Sequence, residues 1–168
     1  MVLSYTSEVD QGFKVRMVWW YAKLNNIKQK IWLDPWLDFM LCWMIFDAYL
    51  SEISQCGTDS GKLKFFYQKK SDFKDNILSA WDPKLVGYVK KLKELSPVHD
   101  MRPGSNKMVH LSDEKNLEQT FKFIYQIRCN LLHGAKDIKN AKDAELVRFA
   151  AKFLRSSLGC WMYGKKIK

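Results

Sequence analysis

The sequence predicts an all-α fold: a single-domain, up-and-down helical bundle spanning residues 1–168, with extra short helices between the second and penultimate long ones. Three observations predict it. Apolar residues recur at three- and four-residue steps along several long segments, which is a helix period. No strand-like alternation persists over any stretch, and no internal repeat is visible. Only 8 Gly and 4 Pro are present, too few for a fibrous protein or for the many tight turns of an all-β fold. A composition of 47% hydrophobic and 14% aromatic residues also excludes a disordered chain. At this length folding buries roughly 70% of the unfolded chain's surface, so one sizeable core forms without staples.

The first helix is expected from about Phe13 to Trp32, where Met17, Trp20 or Tyr21, Leu24, Ile27 or Lys28, and Ile31 keep the period. Asp34-Pro35 reads as an N-cap followed by Pro at the first helical position, where a missing N–H is no loss. The helix it opens runs to about Gln55, with Cys56-Gly57 as its stop. Its apolar residues, Trp36 to Phe46, cover nearly the whole circumference, as in the central helix of a bundle or one partly buried by a partner chain. Two or three short helices are expected between Gly61 and Leu95, with Asp82-Pro83 repeating the cap-then-Pro signal. Residues 96–107 contain Pro97, Pro103 and Gly104 and are expected to break helical structure. A further helix is expected to open at Ser112, with Asp113 and Glu114 complementing its dipole, and to run to about His133-Gly134. Leu146 or Val147, Ala150, Phe153 or Leu154, and Leu158 mark the last one.

Lys and Arg total 28 against 18 Asp and Glu, a net charge of +10 that favours a polyanionic partner. Most of the excess lies from Lys139 onward, including a basic tail at 164–168 that is expected to be flexible. Cys42, Cys56, Cys129 and Cys160 are widely spaced among apolar residues, which points to small hydrophobes rather than a zinc site or a disulfide framework. Glu8 and Asp10 interrupt any export signal, and the longest apolar run, Phe39 to Phe46, is far short of a membrane span. The expectation is a cytoplasmic protein with no membrane partner, no metal and no cofactor.

Of the three histidines, His99 and His110 lie in or beside the Pro/Gly-containing loop, where surface or capping roles are expected. His133 differs, because it follows Arg128 by five positions in Tyr125-Gln-Ile-Arg-Cys-Asn-Leu-Leu-His-Gly-Ala-Lys136. Five residues advance a helix by about 140° around and about 7.5 Å along its axis, so the two side chains do not stack on one face. They can flank a groove, or a second copy of the helix can complete the site. In a last helical turn the dipole favours the imidazolium and holds the pKa of His133 near working pH. A permanently charged planar fork and a group that exchanges protons near neutrality are what metal-free phosphodiester cleavage requires. On spacing alone, the better explanation of the pattern is a snorkelling Arg128 and a helix-capping His133, with no catalysis.

The wider string separates these readings. Tyr125 to Lys136, followed by Asp143-Ala-Glu-Leu-Val-Arg-Phe-Ala-Ala-Lys-Phe-Leu154, resembles the C-terminal signature of the HEPN family, small helical domains of prokaryotic toxin and defence systems. Trp43-Met-Ile-Phe-Asp-Ala-Tyr49 is similar to the W-x-x-F-N-A-L-Y stretch of many members, with Asp47 where Asn is usual. The resemblance covers about forty residues of the chain. It implies a metal-independent endoribonuclease, a toxin or phage-defence effector, that cleaves RNA through the ribose 2′-hydroxyl. Arg128 would clamp the phosphate and His133 would act as general base or acid. The resemblance further implies a homodimer with a composite active site, and an antitoxin or sensor partner protein. Asn130 would orient the catalytic pair, Asp47 would support the pocket, and Lys136 would contact a phosphate. The tyrosine that some members carry two positions after the histidine is replaced here by Ala135. The alternative is a non-catalytic module of the same type that dimerises and binds RNA or nucleotide.

Overall fold

The computed structural model describes residues 9–30, 34–69, 71–79, 83–102, 104–132 and 140–163. Among them the protein is all-α apart from one two-stranded ribbon. The helices are α1 (Gln11–Lys30), α2 (Pro35–Ser54), α3 (Asp59–Gln68), α4 (Asp72–Ser79), α5 (Pro83–Glu94), α6 (Leu117–Leu132) and α7 (Ala141–Tyr163). The short helices α3, α4 and α5 lie between the second and the penultimate long ones, as the periodicity requires. The basic tail at 164–168 lies outside the described residues.

Local chemistry sets most of the boundaries. Asp34 caps α2 by accepting from Trp36 N at 2.8 Å, with Pro35 in the first turn. Thr58 caps α3 through Gly61 N, and Asn140 caps α7 through Lys142 N and Asp143 N. Helix α2 closes where expected: Ser54 is its last residue, and the C-cap Gln55 takes the left-handed conformation at φ 52° and donates its N–H to Ser51 O, just before Cys56-Gly57. One boundary differs from the sequence expectation. Helix α6 opens at Leu117 rather than at Ser112. Asn116 is its cap, accepting from Gln119 N at 2.9 Å, while Gln119 Oε1 accepts from Ser112 N, Ser112 Oγ and Asp113 N. That side chain offers residues 112–113 an acceptor outside any helix, which removes the reason to begin one there.

The described residues of 96–107 are non-helical, as expected, and this segment contributes one strand of a minimal ribbon. Strand β1 (Val98–His99) pairs antiparallel with β2 (Met108–Val109), placing Val98 opposite Val109 and His99 opposite Met108.

The centre of the molecule belongs to α7 as much as to α2. Every residue from Ser156 to Met162 is buried, and α7 touches α1, α2, α4, α5 and α6. Small side chains at Ala150, Ala151, Ser156 and Ser157 let five neighbours approach one helix. Around it runs an aromatic cluster. Phe46 stacks on Phe121 at 4.9 Å and meets Phe66 and Phe73 edge-on or tilted, while Trp161 lies 4.7 Å from Tyr49. Such rings add about 0.5–1.5 kcal/mol per pair beyond their area burial.

One polar tie crosses this core. Arg155 of α7 bonds Asn25 of α1 and Asp38 of α2, and the Tyr21 hydroxyl donates to the Arg155 carbonyl at 2.8 Å. Helix α2 is less enclosed than its composition implies: Leu37 and Met44 are exposed, as are Trp19, Trp20 and Ile27 of α1. Between α1 and α2, Trp20, Ile27 and Met44, with Met17, Leu24 and Leu41, line an apolar groove of about 240 Å³. Among the described residues no helix is long and apolar enough to cross a membrane, and Cys42, Cys56, Cys129 and Cys160 are all free thiols.

Candidate functional site

Helix α6 buries Leu117, Phe121, Ile124 and Ile127 against the core, and that stripe decides where its polar residues point. Arg128 follows the last of them and emerges at the margin of the core, its side chain 20% exposed. There it meets α2 and α3. The guanidinium lies 5.7 Å from the centre of the Trp43 ring, and Nη1 is 2.8 Å from Asp59 Oδ2. The Arg128 Nε–H is buried with no acceptor among the described residues. An unfilled buried donor costs about 1–3 kcal/mol, so the fork is held in place with its bonding capacity partly unused.

The pair belongs to a longer chain of charge. Asp59 is the first residue of α3, and Lys62 lies one turn further on the same face, its Nζ 3.9 Å from Asp59 Oδ1. Lys62 Nζ also donates to both oxygens of Asp47 on α2, at 3.0 and 3.1 Å. Acid and base thus alternate through Asp47, Lys62, Asp59 and Arg128. Asp47 is therefore joined to Arg128 through two intervening side chains rather than by direct contact. Beside them, the Tyr125 ring packs 5.9 Å from Trp43. Burial, with a hydrogen bond to Cys129 as the next cause, pushes the Tyr125 phenol up to about 12, so it stays neutral at physiological pH.

Asn130 faces another cluster. It is fully buried; its Nδ2 donates to His99 O at 2.7 Å, and its Oδ1 accepts from Met101 N at 3.2 Å and Gln126 Nε2 at 2.9 Å. These bonds commit the carboxamide to the loop after β1. In the same loop the buried carboxylate of Asp100 takes a double contact from Arg102, Nε at 2.9 Å and Nη2 at 2.6 Å. Hydrogen bonding from Arg102 is the largest influence on Asp100 and holds its carboxyl well below the usual carboxylate range, against the opposing effect of burial. Asn130 and Arg128 are two positions apart on α6 and so point to opposite sides of it, which is why they serve separate clusters.

His133 and Lys136 lie outside the described residues. His99 and His110 are exposed, and the His99 ring Nδ1 lies 3.3 Å from the Met101 sulfur. The sequence reading did not find Asp59, Lys62, Asp100 or Arg102. Thr58-Asp59 carries a recognisable cap signal, and Asp59 and Lys62 have the spacing of a helical ion pair. Neither signal says that Asp59 meets Arg128, a residue distant in the sequence. Comparison with protein-family models, with curated proteins and with solved structures gives no match. The reading of this site rests on its own geometry and on the residues of the motif.

Proposed function

We propose that the chain is a metal-independent endoribonuclease of the HEPN type, with Arg128 as phosphate clamp and His133 as proton-transfer group. The observation that carries this reading is the setting of Arg128: a guanidinium packed on Trp43 at the edge of the core, with a donor left unfilled, five residues before a histidine. Among the described residues Arg155 also leaves its Nε unfilled but is committed to Asn25 and Asp38 inside the core, whereas Arg128, at the core margin and paired only through Nη1 with a part-exposed carboxylate, has capacity for a further oxyanion. The net charge of +10 supports a polyanionic substrate.

In the proposed reaction the 2′-oxygen attacks the adjacent phosphorus as its proton passes to a His133 imidazole. The P–O2′ bond forms and the P–O5′ bond breaks. The departing 5′-oxygen takes up a proton, leaving a 2′,3′-cyclic phosphate and a 5′-hydroxyl. Arg128 stabilises charge on the phosphorane oxygens, a role worth several kcal/mol in a water-poor site. One imidazole per chain serves as base or acid, and a homodimer would bring a second to the same cleft. Exposed Trp19, Trp20 and Met44 support association, and an antitoxin or sensor protein is proposed to restrain the enzyme in the cytoplasm.

The test is incubation of labelled RNA with the protein in the presence and absence of a chelator. Cleavage that leaves cyclic phosphate ends, persists in chelator and is lost in Arg128→Ala and His133→Ala is the expected result. Full activity in both variants would remove the assignment. The Asp59 carboxylate on Arg128 favours a second reading, a non-catalytic module that binds RNA or nucleotide. Salt-dependent binding without any cleavage would select it.

A further inference from the structure

We infer that Lys62 and Arg128 together form the phosphate-binding site, and that Asp59 is its internal occupant, displaced when RNA binds. The inference rests on the nuclease reading for the identity of the oxyanion, and on geometry for the rest.

Each oxygen of the Asp59 carboxylate faces a different cation. Oδ2 is 2.8 Å from Arg128 Nη1, and Oδ1 is 3.9 Å from Lys62 Nζ. A carboxylate bridging a guanidinium and an ammonium stands where a phosphodiester would present its two non-bridging oxygens. The buried Arg128 Nε–H has no acceptor among the described residues, so the carboxylate does not fill the bonding capacity of the guanidinium.

The occupant is built to leave. Asp59 is 30% exposed and follows Gly57 and Thr58, which are exposed on the turn between α2 and α3. A rotation about its Cα–Cβ bond carries the carboxylate into water without breaking a helix. The cations are built to stay. Lys62 is only 12% exposed and keeps two hydrogen bonds to Asp47, while Arg128 keeps its seat on Trp43. With both acids in place the four side chains sum to zero charge, and displacement of Asp59 leaves a net positive site. The contact is therefore self-inhibitory: an oxyanion must outcompete a tethered carboxylate.

The experiment measures equilibrium binding of a fluorescent 2′-O-methyl RNA oligonucleotide, which lacks the attacking hydroxyl, at fixed salt. Asp59→Asn keeps the shape of the side chain and removes its charge. It is expected to tighten binding by about tenfold and to steepen the salt dependence by about one counterion. Adding Lys62→Gln to Asp59→Asn is expected to abolish most of that gain. Asp59→Ser, whose hydroxyl still suits a helix start, is expected to repeat the Asp59→Asn result. Unchanged or weaker binding in both Asp59 variants, with thermal melts like the parent's, overturns the inference, as does a gain that persists without Lys62. Cleavage of ordinary RNA separates this from the function. If Arg128→Ala ends cleavage while the Asp59 variants bind like the parent, the nuclease stands and the internal occupant does not. If the Asp59 variants bind more tightly but no form of the protein cleaves, the oxyanion site stands and the nuclease does not.

Discussion

The guanidinium of Arg128 rests 5.7 Å above the centre of the Trp43 ring, joining the end of α6 to the middle of α2. The indole supplies a flat, apolar face that orients a flat cation. A lysine at position 128 keeps the charge but loses both the fork and the stacking. Arg128→Lys is therefore expected to lose RNA cleavage by about 100-fold or more, close to Arg128→Ala, a loss of about 2.7 kcal/mol or more in transition-state stabilisation. Stability should fall by less than about 1.5 kcal/mol in either variant, since the Asp59 contact is partly exposed. Initial rates and denaturant melts measured side by side check the separation of chemistry from folding.

Asn130 behaves in the opposite way. Its carboxamide fills the His99 carbonyl, the Met101 N–H and the Gln126 amide at once. Asn130→Ala leaves these groups without that partner in a buried setting and should destabilise the protein by about 2–3 kcal/mol. Hydrogen exchange at the Met101 amide is expected to accelerate in step. Cleavage measured well below the melting temperature should fall far less than in Arg128→Ala.

Stability should decline at both ends of the pH scale. The Asp100 carboxyl is held below its unfolded value by Arg102, so its contribution is present above about pH 4 and is lost as the pH falls through the folded value. Asp100→Asn should flatten the acid limb of the stability curve. The Tyr21 phenol is pushed up by burial to about 12 from 10.0, so its contribution is complete below pH 10 and disappears as the pH rises through 12. Tyr21→Phe should flatten the alkaline limb, at the cost of the hydrogen bond to the Arg155 carbonyl. Urea midpoints measured across the pH range read both slopes.

The end of α2 offers a gain. Gln55 holds φ 52°, a conformation that costs an ordinary residue about 1–2 kcal/mol and glycine almost nothing. Gln55→Gly is expected to raise stability by about 1 kcal/mol, after glycine's larger unfolded-state entropy is set against the relief. A higher melting temperature with unchanged RNA binding is the expected result.

Features carried by neighbouring residues were legible without coordinates. Asp34-Pro35 specifies a cap and a first turn through atoms two residues apart, and the structure places both there. The short helices after Gly57 and the break at 96–107 follow from similarly local chemistry. The start of α6 was not legible in this way. Ser112 is a reasonable cap on its own, and only the return of Gln119 onto residues 112–113 satisfies those donors without a helix. Position 128 stood out through its spacing to His133 and the surrounding motif, whereas its partner Asp59 stood out only as the first residue of a helix.

By itself the sequence determined that this chain is helical, where most helices run, which faces are apolar, and which arginine and histidine to weigh. Those properties follow from periodicity and from capping bonds that span a few residues. Only the tertiary structure decided that α7 shares the centre with α2, that Asn130 secures a loop, and that Asp59 stands between Arg128 and Lys62. Such meetings depend on how whole helices dock, and docking is set by the summed packing of a core that no short window of sequence contains.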